Sequence, residues 1–263
     1  MIRFENVTKT FGQERVLDDF SMSLQPAETK VILGGGGSGK STILKMVLGL
    51  VKPDRGRVYV DGEDITEVTE DDLMPMRKQI GMVFQEGALF DFLTVGQNVG
   101  YRLLEESRYA RDEIDSMVRQ VLGFVGLEHT ADMMPSELSG GMRRRVGIAR
   151  ALVGKPRIVL YDEPTAGLDP ITSRTISELI MKLRDLEGVT SILVTHDLTT
   201  AMILASEIAT VDDEGQTRFR REDGEFCLIN TRFVMLKDGR VIFEGPDEKL
   251  REFDDQWVKE FLD

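Results

Sequence analysis

Short apolar runs separated by turn residues dominate the first part of the chain and return after residue 155. Within these runs, hydrophobic residues alternate with polar ones or follow one another directly, which is typical of strands. Glycine and acidic residues between the runs favour turns. The pattern predicts strands at 2–7, 20–24, 31–33, 57–61, 81–84, 158–161, 192–195, 231–236 and 240–244.

Between about 95 and 155 the apolar spacing becomes helical. The apolar positions from 117 to 125 recur at i, i+1, i+4, i+5 and i+8, which places them on one helix face. We therefore expect a helical block, inserted between strands. A further helix is expected at 176–183. Apolar residues spaced by three and four between 250 and 261 predict a terminal amphipathic helix, which packs on its own domain or serves a partner.

Charge adds limits on function. Residues 212–226 are highly charged and contain two glycines, so we expect an exposed hairpin or a mobile loop there. The 263-residue chain has a formal net charge of −13, which argues against a general nucleic-acid-binding surface. We interpret the basic clusters at 143–145 and 218–221 as solvated faces.

The single cysteine, Cys227, excludes an internal disulfide.

No apolar run approaches the length that spans a bilayer, and the first residues do not form a secretory signal. We therefore expect this chain to carry no membrane span of its own.

A glycine-rich stretch follows the strand at 31–33 and precedes an apolar helical run. It predicts a loop whose backbone N–H groups bind phosphate oxygens, assisted by the following helix N-terminus. The lysine would add a charge for the β- and γ-phosphates, and the serine after it could ligate Mg²⁺. A flexible linker is the alternative. The stretch reads Gly34, Gly35, Gly36, Gly37, Ser38, Gly39, Lys40, Ser41 and Thr42.

Charged and polar residues end two later strands. Asp162 and Glu163 follow the strand at 158–161, and His196 follows the strand at 192–195. Ligands bind at the carboxyl ends of strands in an open α/β sheet. We predict that Asp162 holds Mg²⁺, Glu163 activates water and His196 contacts the γ-phosphate or that water. An exposed acidic turn and a structural histidine are the alternatives.

A second anion-binding device is suggested at residues 139–141. Ser139 is positioned to cap a helix that runs to Leu152, and Gly140 and Gly141 follow it. A plain helix cap is the alternative to an anion site.

Together these residues identify a family resemblance. The motifs are Gly34–Thr42, Gln85, Leu138–Gly141, Tyr161–Pro164, Gly167–Pro170 and His196. Their order and spacing resemble those of ABC transporter ATPase subunits over residues 2 to 250. The resemblance implies an α/β P-loop NTPase fold of the ABC ATPase type, with a RecA-like core, an antiparallel β subdomain and an inserted α-helical subdomain. It implies one domain over 1–263, with the core at 1–94 and 156–263, the helical subdomain at 95–155 and the charged insert at 212–226.

The resemblance also implies roles for individual residues. Phe11 would stack on adenine, with a small core plug as the alternative, and Ser41 and Gln85 would lie near Mg²⁺. Ser139, Gly140 and Gly141 would contact the γ-phosphate of ATP held by a second copy, and Asp169 would lie at the dimer seam. Glu163 would be the base and His196 the γ-phosphate switch. Gly35 and Gly36 stand where many members have Pro-Ser, so we expect a looser loop.

A finer resemblance, carried by Phe84–Asp91 and Pro135–Met142, is to the Mla/Mce-type lipid transport ATPases. It implies phospholipid transport between the inner and outer membranes through a separate permease. The expected place is the cytoplasmic face of the inner membrane. An Mce-type substrate-binding protein and a small STAS-domain protein are the other partners it implies. The alternatives are the ATPase of another solute importer or exporter and a non-transport ABC ATPase.

Overall fold

The fold is described from a computed structural model over residues 1–106, 108–221 and 230–262; Cys227 and residues 222–226 of the charged insert lie outside these ranges. The strands are β1 (Ile2–Phe11), β2 (Glu14–Leu24), β3 (Thr29–Gly34), β4 (Arg55–Val60), β5 (Glu63–Asp64), β6 (Ile80–Val83), β7 (Ile158–Asp162), β8 (Thr190–Thr195), β9 (Glu207–Val211), β10 (Thr217–Arg221), β11 (Thr231–Lys237) and β12 (Arg240–Gly245). The helices are α1 (Lys40–Val47), α2 (Glu70–Arg77), α3 (Val95–Glu106), α4 (Arg111–Phe124), α5 (Gly140–Leu152), α6 (Pro170–Asp185), α7 (Leu198–Ser206), α8 (Asp247–Arg251) and α9 (Gln256–Leu262).

The central sheet has the strand order β12-β11-β3-β8-β7-β6. All neighbouring pairs are parallel except β11 with the edge strand β12. Strands β3 and β8 are buried along their whole length, which fits their nearly continuous apolar sequences. Because parallel strands point the same way, the carboxyl ends of β3, β7 and β8 lie at the same edge of the sheet.

An antiparallel sheet, with the order β2-β1-β4-β5, lies beside the central one. Its apolar face shares a core with helix α1 and with one face of β3, β7 and β8. This core fixes α1 between the two sheets. The loop that joins β3 to α1 is therefore attached to two buried elements.

Helices α3, α4 and α5 separate β6 from β7 in the chain, as the helical spacing predicts. Their apolar faces join the core on the other side of the central sheet. Ser139 is the N-cap of α5, and its Oγ accepts a hydrogen bond from the Met142 N–H at 3.2 Å. The predicted cap is confirmed, although a cap alone says nothing about anion binding.

Two boundaries differ from the prediction. Strand β6 ends at Val83, and Phe84 is 42% exposed. The predicted terminal helix is two helices, α8 and α9, because Asp255 starts a new helix: its Oδ1 accepts from the Val258 N–H at 3.0 Å. The apolar side chains from Leu250 to Phe261 still pack on the core of the same chain.

The charged insert includes a β-hairpin. Strands β9 and β10 pair antiparallel, with Thr217 opposite Val211, and form a two-stranded sheet of their own. Arg218 is 62% exposed at its side chain and pairs with Asp212 at 2.8 Å. The hairpin prediction is thus confirmed for residues 212–221. Among the helices in the described ranges, none combines the length and the apolar character that a membrane span requires.

Candidate active site

The glycine-rich loop leaves the end of β3 at Gly34 and enters α1 at Lys40. Gly39 has φ +96°, and a Cβ there would lie 2.7 Å from the Val16 carbonyl oxygen. Only glycine fits this position without strain. Gly35 and Gly36 lie outside the left-handed region, and a Cβ added at either position would meet open space. The loop therefore needs glycine at Gly39 but not at these two positions.

Lys40 is buried at the start of α1. Its Nζ donates to the carbonyl oxygens of Gly34 at 2.8 Å and Gly35 at 2.9 Å. The same Nζ lies 3.9 Å from Glu163 Oε1. Burial lowers the pKa of Lys40, and the carboxylates of Glu163 and Asp162 oppose that shift. The lysine charge thus lies at the loop, next to the predicted base.

Ser41 and Asp162 form a hydrogen-bonded pair of side chains between α1 and β7. Ser41 Oγ donates to Asp162 Oδ1 at 2.9 Å. Burial raises the pKa of Asp162, and the Ser41 hydrogen bond opposes it. Mg²⁺ is usually held by one or two protein oxygens together with substrate phosphates and water. The pair fits such a site; no cluster of three metal-binding side chains occurs in the ranges described.

Glu163 is held in an unusual conformation by the neighbouring strand β8. Its φ is +49°, a region that non-glycine residues rarely adopt. Its Oε2 accepts from Thr195 Oγ1 at 3.0 Å and from the His196 N–H at 3.2 Å. His196 Nδ1 lies 2.9 Å from Glu163 Oε1. Both carboxylate oxygens are therefore oriented by Thr195 and His196, which a positioned base requires.

Arg144 was not expected here. It is 8% exposed, and its guanidinium donates to the carbonyl oxygens of Glu163, Pro164 and Ala166. The interpretation of 143–145 as a solvated face is right for Arg143, which is exposed, and wrong for Arg144. Positions 144, 147, 148 and 151 share one buried face of α5. Helical periodicity could have placed Arg144 on that face.

Thr195 is another residue of the candidate site that the sequence did not predict. It ends the buried strand β8, where a threonine fits simply as a β-branched residue. Its bond to Glu163 depends on the pairing of β7 with β8, which the sequence does not specify.

A second group of predicted residues lies at the starts of α5 and α6, away from the loop and strand ends described above. Its members are Ser139, Gly140, Gly141 and Asp169. Asp169 caps α6, and its carboxylate accepts from the Ile171 and Thr172 N–H groups. A Cβ on Gly141 would lie 2.4 Å from Thr172 Cγ2, so the two helix starts are in close contact. In the described part of the chain, no hydrogen bond or ion pair joins Ser139 or Asp169 to Lys40. The structure therefore brings the predicted residues together as two groups.

Two predicted nucleotide contacts lie on the surface. Phe11 is the last residue of β1, 48% exposed, with Lys9 Nζ 5.3 Å from its ring centre. The alternative role of Phe11 as a core plug is therefore wrong. Gln85 is exposed just beyond the end of β6.

The family profile described as ABC transporter matches residues 17–166. This chain belongs to the ABC transporter family. The probable ribonucleotide transport ATP-binding protein mkl of Mycobacterium tuberculosis (strain ATCC 25618 / H37Rv) is 35% identical over 261 residues, which cover 99% of this chain and 66% of mkl. The chain thus spans slightly less than two thirds of that relative.

The intermembrane phospholipid transport system ATP-binding protein MlaF of Escherichia coli (strain K12) is 33% identical over 253 residues, covering 96% of this chain and 88% of MlaF. A dimeric post-hydrolysis structure of the ATP-binding cassette MJ0796, bound to ADP and Pi, matches with a TM-score of 0.77 and 33% identity. It covers 94% of this chain and 98% of MJ0796. The predicted family and fold class are confirmed.

Proposed function

We propose that this protein is the ATP-binding and ATP-hydrolysing subunit of an ABC transporter that powers phospholipid transport through a separate permease. The observation that carries the proposal is the convergence of Lys40, Ser41, Asp162, Glu163 and His196 at one edge of the sheet. Family membership and the likeness to a cassette bound to ADP and Pi support ATP hydrolase activity.

In this proposal the N–H groups of residues 34–42 and Lys40 bind the ATP phosphates, and Phe11 stacks on adenine. Ser41, Asp162 and Gln85 hold Mg²⁺, which would neutralise charge that develops on the phosphate oxygens. Glu163 accepts a proton from the attacking water. His196 contacts the γ-phosphate and orients the Glu163 carboxylate through the 2.9 Å contact.

The second group would act on the nucleotide of another copy. In a face-to-face homodimer, Ser139, Gly140 and Gly141 contact the γ-phosphate bound by the partner, and Asp169 lies at the seam. Two observations support this: among the residues that the structure describes, no hydrogen bond or ion pair joins Ser139 or Asp169 to Lys40, and the similar cassette MJ0796 is dimeric. The division into a core at 1–94 and 156–263 and a helical subdomain at 95–155 belongs to the same proposal.

The substrate proposal rests on MlaF, whose name describes an ATP-binding protein of an intermembrane phospholipid transport system. An Mce-type protein, a small STAS-domain protein and a site of action at the cytoplasmic face of the inner membrane accompany it. The name of mkl, a probable ribonucleotide transport protein, favours another solute as the second candidate. In a reconstituted complex with the permease, phospholipid should stimulate hydrolysis; stimulation by a nucleotide or another solute alone would support the second candidate.

Glu163→Gln tests the catalytic assignment. The amide keeps the shape of the side chain but cannot accept a proton, so hydrolysis should fall by about a hundredfold or more. ATP binding should stay within about twofold of the wild-type value because the phosphate-binding groups are unchanged. The measurements are phosphate release and equilibrium binding of ATP with Mg²⁺. Turnover at the wild-type rate would remove Glu163 as the base.

A further inference from the structure

Arg144 connects helix α5 to the turn that carries Glu163. Its Nη1 donates to the Pro164 carbonyl at 2.8 Å and to the Glu163 carbonyl at 3.2 Å, and its Nη2 donates to the Ala166 carbonyl. All three acceptors lie in one turn, directly after β7. A planar guanidinium can serve several acceptors in a fixed geometry, whereas a lysine ammonium cannot reproduce that fork.

The turn needs such support. Glu163 has φ +49°, and a non-glycine residue persists in this region only when its surroundings fix it. The Glu163 N–H donates to the Val194 carbonyl at 3.0 Å, which fixes the turn from the side of β8. The Arg144 bonds fix the opposite, carbonyl side. The backbone of Glu163 is thus held between β8 and α5.

The position of the carboxylate follows from this backbone. With the backbone fixed, Glu163 Oε1 reaches His196 Nδ1 at 2.9 Å and lies 3.9 Å from Lys40 Nζ. A rotation of the turn would move the carboxylate out of this geometry. Misplacement of a reacting group by about 1 Å costs on the order of a hundredfold in rate.

We propose that Arg144 is a positioning residue for ATP hydrolysis, which holds Glu163 in its strained conformation from helix α5. The inference rests on the proposed function, in which Glu163 is the base. Arg144 does not touch the reacting atoms in this proposal; it acts through the backbone of the turn. It also links the proposed base to the helix whose N-cap, Ser139, would contact the nucleotide of the partner.

The same helix offers a matched control. Arg150 donates to the carbonyl oxygens of Ala88 at 2.7 Å and Gly87 at 2.7 Å, in a different loop. Arg150→Lys therefore removes guanidinium-to-carbonyl bonds from α5 without touching the turn at 163–166. The Arg150→Lys variant therefore measures how the loss of such bonds affects helix α5 without a change at the turn.

The experiment compares Arg144→Lys and Arg150→Lys in the full-length protein, each alone and combined with Glu163→Gln. Phosphate release gives kcat and KM, equilibrium binding gives the Kd for ATP, and thermal unfolding gives stability. Arg144→Lys should lower kcat by about tenfold or more with less than about a twofold change in Kd. Arg150→Lys should keep kcat within about twofold. In the Glu163→Gln background, Arg144→Lys should cause no further loss, because both changes act through one group.

Several results would overturn the inference. These are equal effects of the two lysine variants on kcat, a loss that multiplies with that of Glu163→Gln, or a change in melting temperature without a change in kcat. If Arg144→Lys does not fold, Arg144→Gln is judged by the same criteria, and failure of both to fold would make Arg144 a folding residue only. A wild-type protein without ATPase activity, or an active Glu163→Gln variant, would instead contradict the proposed function.

Discussion

At the scale of single residues, burial disfavours the charged forms of two residues in the candidate site, Lys40 and Asp162. It lowers the pKa of Lys40 and raises the pKa of Asp162. Both shifts mean that the folded protein disfavours the charged form. Lys40 and Asp162 therefore reduce stability at neutral pH, and the proposed function gives these two groups the roles of binding phosphate and Mg²⁺.

Asp162→Asn tests whether the charge of Asp162 lowers the stability of the folded protein. The amide still accepts the Ser41 hydrogen bond but carries no buried charge, so the melting temperature at neutral pH should rise while Mg²⁺-dependent hydrolysis falls. Because the pKa of Asp162 is raised in the folded state, the penalty is full above that pKa. The gain should shrink as pH falls through the folded pKa, and it should be lost below the ordinary pKa of aspartate, where folded and unfolded carboxyls are both protonated. Thermal unfolding over a pH series measures it.

Asp169→Asn provides a control of opposite sign. Hydrogen bonds from Thr172 and Ile171 lower the pKa of Asp169, so its carboxylate stabilises the fold above the unfolded pKa. Its replacement should lower the melting temperature at neutral pH, with a smaller loss in acid. A stability gain in both variants would contradict the burial argument for Asp162.

At the scale of elements, the loop from Gly34 to Gly39 divides into required and optional glycines. Gly39 lies at φ +96° against the Val16 carbonyl, whereas Gly36 has a freely accessible position. The double glycine at Gly35 and Gly36 therefore adds freedom to the unfolded chain without serving a turn that only glycine can make.

Gly36→Ala should accordingly stabilise the protein, by about 0.4–1 kcal/mol, because it reduces the entropy of the unfolded chain. Gly39→Ala, its matched control, should destabilise the protein by more than that, since it adds both strain and a clash. Urea unfolding of the two variants measures the difference. A destabilising Gly36→Ala would mean that the loop needs glycine at both positions.

The elements also show where sequence reasoning succeeds. Continuous apolar runs predicted β3, β7 and β8, and the Ser139 cap with the apolar positions after it predicted α5, because burial of these elements dictates such sequences. The patterns could not divide the terminal helix, because the apolar spacing continues through 250–261 and only the Asp255 cap starts a new helix. Strand-end chemistry predicted Asp162, Glu163 and His196. The role of Arg144 depends on how α5 packs against the turn, which no local pattern encodes.

At the scale of the whole molecule, an exposed aromatic patch stands beside the end of β6. We define the aromatic patch as Phe84, Phe90, Phe92 and Tyr101. The Phe90 ring centre lies 5.0 Å from that of Tyr101 and 5.7 Å from that of Phe92, which is 77% exposed. A role of Phe92 in core packing does not fit this exposure. Such a patch suits a protein partner, and the family resemblance suggests the permease.

Phe92→Asp should therefore weaken coupling to the permease while leaving the basal hydrolysis of the free subunit near the wild-type rate. A carboxylate in a desolvated apolar contact is costly. The measurement compares hydrolysis with and without the permease. Leu50→Asp, at an apolar residue 58% exposed outside the patch, is the control. Permease-stimulated hydrolysis that survives Phe92→Asp would count against docking of the permease at the aromatic patch.

Mixing two inactive variants tests the dimer. Lys40→Met removes the lysine proposed to bind phosphate, and Ser139→Asp keeps a good helix cap but places a negative charge where a phosphate is proposed to bind. If Ser139 acts on the partner's nucleotide, half of the dimers in an equal mixture hold one intact site, so about a quarter of wild-type activity should return. Phosphate release is the readout. No recovery from the mixture would argue that Ser139 acts within its own chain.

Helix α5 begins at the Ser139 cap, and its side chains bond to the turn after β7 at Arg144, to the Val125 carbonyl at Arg145 and to the Gly87–Ala88 loop at Arg150. At 1.5 Å per residue, Ser139 and Arg150 lie about 7.5 Å and 9 Å along the axis from Arg144. Arg144 thus contacts the turn of Glu163 from near the midpoint between Ser139 and Arg150, so helix α5 extends by nearly equal lengths on either side of this contact. A tilt of about 10° would shift its two ends by about 1.5 Å in opposite directions.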